Sequence, residues 1–185
     1  MRKLVALELV SVDGVFESPE EWAFLYSNEE MEQANASGMA ASDAMLLGRV
    51  TYEGLAAFWP NQPAGTPMVD YINSVRKYVV SGTLKEPLMW NNSTLIKAEE
   101  IAELKQQEGK DITIIGSGEL VRSLLREGLL DDLRLMVHPL ILGSGKRLFE
   151  DGDHKPLELV DSRAFASGVV SLAYRPANEQ GKESR

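Results

Sequence analysis

The sequence predicts an α/β protein built on one mixed, mostly parallel sheet with helices on both faces. Three observations lead there. Short β-branched apolar runs alternate with helical stretches through the first two-thirds of the chain. One junction, Ile112-Thr-Ile-Ile-Gly-Ser-Gly-Glu-Leu-Val-Arg-Ser-Leu-Leu125, passes from strand through a glycine turn into an amphipathic helix. The last third carries two strand-like runs joined through Ala166-Ser-Gly168, the pattern of an antiparallel hairpin.

Taken in order, Lys3 to Val12 reads as the first strand and stops at Ser-Val-Asp-Gly (11–14), where Asp13-Gly14 signals a turn. Ser27 with Glu30 three residues later forms a capping-box pattern that opens a helix to about Ala41. Ala44 to Leu47 is a short buried strand ending at Gly48-Arg-Val-Thr-Tyr-Glu53. Thr66-Pro67 starts a helix to about Val75, and Lys77 to Ser81 is the next strand. Thr94 to Lys97 is a further strand, and Glu99 to Gln107 a surface helix closed by Gly109. After the glycine unit come a strand at Leu133 to His138 and the hairpin strands Leu157 to Ser162 and Val169 to Arg175.

At 185 residues the chain suits one domain, placed at 1–175, with a polar and disordered tail at 176–185. The net charge of −9, spread along the chain, argues against nucleic acid or an anionic membrane as partner. No run approaches the roughly 20 apolar residues of a membrane span, and no signal peptide precedes the first strand, so a cytoplasmic location is expected. There is no cysteine, hence no disulfide or thiolate chemistry, and two isolated histidines make no metal site.

The glycine turn points to nucleotide binding, because glycines allow close approach and a helix N-terminus favours phosphate. A purely structural turn competes with that reading. The dinucleotide fingerprint fails, since Val121 stands at its third small position and His138 where an acid belongs. The later Gly-Ser-Gly-Lys-Arg (143–147) fails as a phosphate loop, with Leu140 in place of glycine and Arg147 in place of Ser or Thr.

Several ordered segments carry a resemblance: Ser-Val-Asp-Gly-Val (11–15), Leu-Leu-Gly-Arg-Val-Thr-Tyr-Glu (46–53), Phe-Trp-Pro (58–60), Lys-Tyr-Val-Val-Ser (77–81), Ile-Gly-Ser-Gly-Glu-Leu (115–120) and His-Pro-Leu-Ile-Leu-Gly-Ser-Gly (138–145). In this order the chain resembles the dihydrofolate reductase-like superfamily, and within it the reductase domain at the C-terminus of bifunctional riboflavin-biosynthesis (RibD-type) proteins. The resemblance implies a three-layer sandwich and NADPH along the C-terminal edge of the sheet. Gly116, Ser117, Gly118, Glu119 and Leu120 match the turn that holds the pyrophosphate. Gly48, Arg49 and Thr51 match a second phosphate-side loop, where Arg49 adds a permanent positive charge. Ser81 and Thr83 follow the strand on the adenosine side.

Asp13 and Gly14 match the loop over the nicotinamide, where Asp13 is the candidate catalytic carboxylate; a simple strand-ending turn competes with that role. Trp59 is a candidate wall of the substrate pocket, against the reading of a core tryptophan. Lys146, with Arg147, is a candidate for a substrate phosphate, against that of an exposed basic turn. Glu29, Glu30 and Glu32 lie on the helix that carries the acid of true dihydrofolate reductases, but Glu30 reads as a capping partner and the others as a solvated face.

The implied activity is NADPH-dependent hydride transfer to a small heterocycle such as 5-amino-6-(5-phosphoribosylamino)uracil in riboflavin biosynthesis. Two alternatives stand beside it: a non-catalytic nucleotide-binding or dimerisation module, and a reductase of an unrelated small molecule. The resemblance also implies a homodimer. Gly118→Val is expected to abolish NADPH binding and leave the fold intact, because the side chain would block the phosphate.

Overall fold

The computed structural model describes residues 1–177. Its strands are β1 (Leu4–Ser11), β2 (Ser42–Gly48), β3 (Arg76–Val80), β4 (Ser93–Ile96), β5 (Asp111–Ile115), β6 (Asp132–His138), β7 (Leu157–Ala164) and β8 (Val170–Pro176). They form one sheet in the order β4-β3-β2-β5-β1-β6-β8-β7. The first six are mutually parallel, β8 runs antiparallel to β6, and β7 closes the edge antiparallel to β8. The expected mixed sheet with a terminal hairpin is therefore present. The expected tail falls outside the described residues from 178 onward, and Pro176 still pairs with Leu157 at the end of β8.

Right-handed crossovers decide where the helices lie. The chain moves one way along the sheet from β1 to β2 and β3, through α1 (Glu29–Ala41), α2 (Arg49–Phe58) and α3 (Pro67–Ser74). It returns from β4 to β5 and β6 through α4 (Ile101–Gln106) and α5 (Gly118–Arg126). Opposite directions of travel put the two sets on opposite faces. Leu4 and Ala6 of β1, Ile112 and Ile114 of β5 and Leu133 of β6 pack with Ile101 of α4 and Val121 and Leu124 of α5. On the other face Met45, Leu47 and Val79 pack with Tyr52 of α2 and Ile72 of α3, while Leu7, Leu9 and Met136 pack with Met31 of α1.

The local signals held in part. Thr66 caps α3 as expected, its hydroxyl accepting the Val69 N–H, with Pro67 in the first turn. The capping box at Ser27 and Glu30 does not form. Asn28 is the cap and accepts the Met31 N–H at 3.0 Å. Glu30 instead accepts the N–H of Ala166 at 3.0 Å, with Arg163 at 3.8 Å, and so ties α1 to the hairpin. Two 3₁₀ turns, at 19–21 and 23–26, precede α1 where only a loop was expected. The expected helix over 99–107 is present as a 3₁₀ turn at Ala98–Glu100 running into α4, which buries Ile101, Leu104 and Lys105.

Lys77 is fully buried in β3. Its ammonium donates to the carbonyls of Asn73, Val75 and Asn91 and sits 4.3 Å from the Trp90 ring centroid. Those acceptors, released by the end of α3 and a nearby loop, explain how the sheet edge tolerates a buried cation. Burial lowers its pKa to about 8.

Candidate functional site

The C-terminal ends of β2 and β5 are neighbours in the sheet, and each runs directly into a helix. At β2 the cap position is Gly48; at β5 it is Ser117, in the left-handed region at φ 65°. The Gly48 N–H donates to the Ser117 hydroxyl at 2.9 Å, which locks the two turns together. Gly116, at φ 60°, brings its backbone against Thr51: a Cβ there would stand 3.3 Å from the Thr51 methyl. At Gly116 the positive φ and this close approach to Thr51 both favour glycine, while a Cβ on Gly48 would only touch Ser117 at 3.4 Å.

Neither α2 nor α5 has a side-chain cap, whereas α1 is capped by Asn28 and α3 by Thr66. The first-turn N–H groups of α2 (Arg49, Val50, Thr51) and of α5 (Gly118, Glu119, Leu120) therefore have no intrahelical acceptor. Two helix starts lie side by side at adjacent strand ends, an arrangement whose dipoles favour an anion such as a diphosphate. Arg49 is half-exposed and pairs with Glu53 at 3.0 Å, from which an incoming phosphate could draw it. The structure thus brings Gly48, Arg49, Thr51, Gly116, Ser117, Gly118, Glu119 and Leu120 to one place.

Gly118 itself is buried under the Phe16 ring, and a Cβ built on it would lie 2.6 Å from that ring. A valine at 118 would therefore require the Phe16 ring to move, so a packing cost would accompany any effect of Gly118→Val on NADPH binding.

Asp13 and Gly14 stand at the end of β1, where residues 12–17 zip onto 140–148 to form a flap beyond the strand ends. Val12 donates to Leu140, Phe16 to Lys146, and Leu148 to Gly14. The Asp13 carboxylate accepts the Ser11 hydroxyl at 2.6 Å and the N–H groups of Leu142 and Gly143 at 3.1 and 2.9 Å. These bonds, the Ser11 hydroxyl foremost, hold its pKa down to about 2. A carboxyl so placed stays ionised and carries no proton to give at neutral pH. Gly14, at φ 82°, supplies the turn.

The other candidates sit further out. The Ser81 hydroxyl accepts the N–H groups of Thr83 and Leu84 and so caps its own turn after β3. Trp59 packs against the cluster around Met45 and Ile72, and its carbonyl accepts the Asn73 side chain. The Lys146 side chain is 77% exposed, 4.0 Å from Glu17, on the flap.

Two buried titratable groups stand beside these candidates, of which Glu8 escaped the sequence. His138, at the end of β6, is 1% exposed, packs edge-on to Trp22 and Tyr26, and shares its Nδ1 with the Met136 carbonyl at 2.8 Å. Burial lowers its pKa. Glu8, in the middle of β1, is 1% exposed, and its Oε1 has no hydrogen-bond partner. Burial alone pushes its pKa up to about 8, which leaves it neutral at pH 7. The available signal was a lone acid inside Leu-Val-Ala-Leu-Glu-Leu-Val, a strand with no polar face.

Six parallel strands, two uncapped helix starts at their ends and a terminal hairpin define a fold of the RibD-type reductase class. Residues 2–171 match the RibD C-terminal domain family, and the chain belongs to that family, a riboflavin-pathway reductase family. A Bacillus subtilis protein described as uncharacterised, YyaP, is 30% identical over 183 residues, covering 94% of each chain. The crystal structure of a putative riboflavin biosynthesis protein from Shewanella superposes with a TM-score of 0.74 at 20% identity, over 95% of this chain and 99% of that one. A Thermotoga maritima deaminase/reductase gives 0.65 at 13% identity, over 95% of this chain and 57% of that larger one. Among the described residues no helix is long and apolar enough to cross a membrane.

Proposed function

We propose that this protein is an NADPH-dependent reductase that passes hydride to a C=N or C=O bond of a small heterocyclic substrate. The reaction named for the Thermotoga neighbour, reduction of 5-amino-6-(5-phosphoribosylamino)uracil, is the leading instance, which would put the protein in riboflavin biosynthesis. One observation carries the reading: α2 and α5 both start uncapped at adjacent strand ends, joined by the bond between Gly48 and Ser117.

In this reading Gly116, Ser117, Gly118, Glu119 and Leu120 hold the diphosphate from one side, and Gly48, Arg49 and Thr51 from the other. Ser81 and Thr83 lie toward the adenosine, and Gly14 toward the nicotinamide. Trp59 and Lys146 are the substrate-side candidates. NADPH supplies the hydride. Asp13 then works by holding the flap, and the proton that follows the hydride comes from another group or from solvent. The protein is expected to work in the cytoplasm as a homodimer.

Calorimetric titration with NADPH and NADH tests the assignment. Micromolar NADPH binding, weaker for NADH, and a several-fold loss on Arg49→Gln are expected. Absence of binding to either nucleotide ends the reading. A second reading, a nucleotide-binding module without chemistry, is favoured by the clamped Asp13 carboxylate and by the engagement of Glu30 with Ala166. NADPH binding without turnover of the pyrimidine ribosylamine would select it.

A further inference from the structure

Glu8 has no place in the site as described, yet its position in the sheet is specific. The β1–β5 pairing ends at Leu7↔Ile115, so Glu8 is the first residue of β1 beyond the last residue of β5. Gly116, where the chain turns toward α5, lies about one strand spacing, roughly 5 Å, to its side. On β1's other flank the pairing continues, with Glu8 opposite Leu135. Side chains alternate along a strand, and Leu4 and Ala6 point into the cluster that α5 covers. Glu8 shares their face. Because α5 runs back over β5, its first turn is the part of the helix level with Glu8.

The carboxyl is thus buried in the sheet under the helix start that receives the diphosphate in the function proposed above. Its strand neighbours on that face, Leu133 and Leu135 of β6 and Ile114 of β5, are aliphatic. The titratable and charged groups on this face of the elements around it are Glu119, Arg122 and Arg126 of α5, Tyr174 of β8, and Glu17, Lys146 and Arg147 of the flap; Asp111, Asp132, Arg134, His138 and Arg175 lie on the opposite face of their strands. Arg122 is committed to Glu150 and to the Leu148 carbonyl. Among the described residues no ion pair or hydrogen bond reaches the Glu8 carboxyl.

We propose that Glu8 is a charge gate for the anionic cofactor: its neutral form admits a diphosphate to the first turn of α5, and its carboxylate form opposes one. This rests on the cofactor reading above. A carboxylate within about 10 Å of a diphosphate, at an effective dielectric near 20 and ordinary salt, weakens binding on the order of tenfold. The proton leaves Glu8 near pH 8, so the gate operates just above neutrality. By reciprocity, a cofactor repelled by the anion must raise the affinity of Glu8 for its proton.

NADPH calorimetry in two buffers of different ionisation enthalpy reads that coupling directly in the wild-type protein. Binding near pH 8.5 is expected to take up a large fraction of a proton, and binding at pH 6.5 almost none from this group. NADPH affinity should fall about fivefold between pH 7 and 9, approaching tenfold at higher pH, and Glu8→Gln should remove both the fall and the uptake. The cofactor's own phosphate titration is common to both proteins and cancels. NADPH binding with no proton uptake at pH 8.5, or with the same uptake in Glu8→Gln, overturns the gate and leaves the cofactor reading standing. A folded Glu8→Gln protein that no longer binds NADPH also overturns it, because Glu8 would then be a direct contact. No NADPH binding by the wild type at any pH overturns the reading and the gate together.

Discussion

Replacing Glu8 by glutamine should stabilise this protein, and the gain should grow with pH. The native state keeps the Glu8 proton up to about pH 8, whereas the unfolded chain releases it near 4.5. Below 4.5 both states are protonated and Glu8 imposes no ionisation penalty. As pH rises through the window the unfolded state loses the proton first, so stability falls until the folded pKa is passed. Each pH unit is worth about 1.36 kcal/mol, which gives about 3 kcal/mol at pH 7 and a ceiling of about 5 kcal/mol above pH 8. The glutamine amide adds a cost of its own, since both NH₂ donors and the carbonyl need partners in a place that offers few. That cost does not change with pH, so the informative quantity is the slope.

Urea unfolding of both proteins at pH 5, 6, 7 and 8 supplies the slope directly. The stability difference should widen by about 1 kcal/mol or more per unit in favour of the variant. In a thermal scan about 3 kcal/mol corresponds to roughly 6–12 °C for a chain of this length. Parallel curves across the window would refute the argument, because they would mean that the carboxyl is ionised in the native state or finds a partner there. Nothing in that experiment depends on the cofactor.

Two further expectations follow from the contacts at the site. Gly118→Val should destabilise the fold by about 1–3 kcal/mol, since its side chain meets the Phe16 ring; unchanged denaturation midpoints would place that ring elsewhere. Asp13→Asn exchanges two charge-assisted acceptor bonds for weaker ones and should raise amide exchange at Leu142 and Gly143, with no titration of activity traceable to Asp13 above pH 4; unaltered protection at both amides would mean that the flap is held by other bonds.

Much of this molecule was legible before its structure. Thr66-Pro67 announced α3, and Gly116-Ser-Gly118 announced the passage from β5 to α5. The hairpin strands were placed to within about two residues. These features are local: apolar period, turn residues and caps act over a few positions, and the backbone conformation they favour is the one observed. The candidates at Gly48 and Gly116 were also readable, because a glycine at a strand-to-helix junction has a short list of physical uses.

What failed was long-range. Ser27 with Glu30 has the right spacing for a capping box, but Asn28 takes the cap and Glu30 reaches Ala166, 136 residues away. The partners of the Asp13 carboxylate, the N–H groups of Leu142 and Gly143, lie some 130 residues away and could not be read from its neighbours. At Gly118 the Phe16 ring adds a packing contact that no local signal announced. By itself the sequence determined the elements, their alternation and the glycine turns, since each is set by neighbours in the chain. The tertiary structure alone decided which acids are spent, which is buried without a partner, and which two helix starts are hydrogen-bonded side by side. Burial and hydrogen-bond partnership are properties of a residue's surroundings in space, and β1 acquires its surroundings only when β5 and β6 close on it.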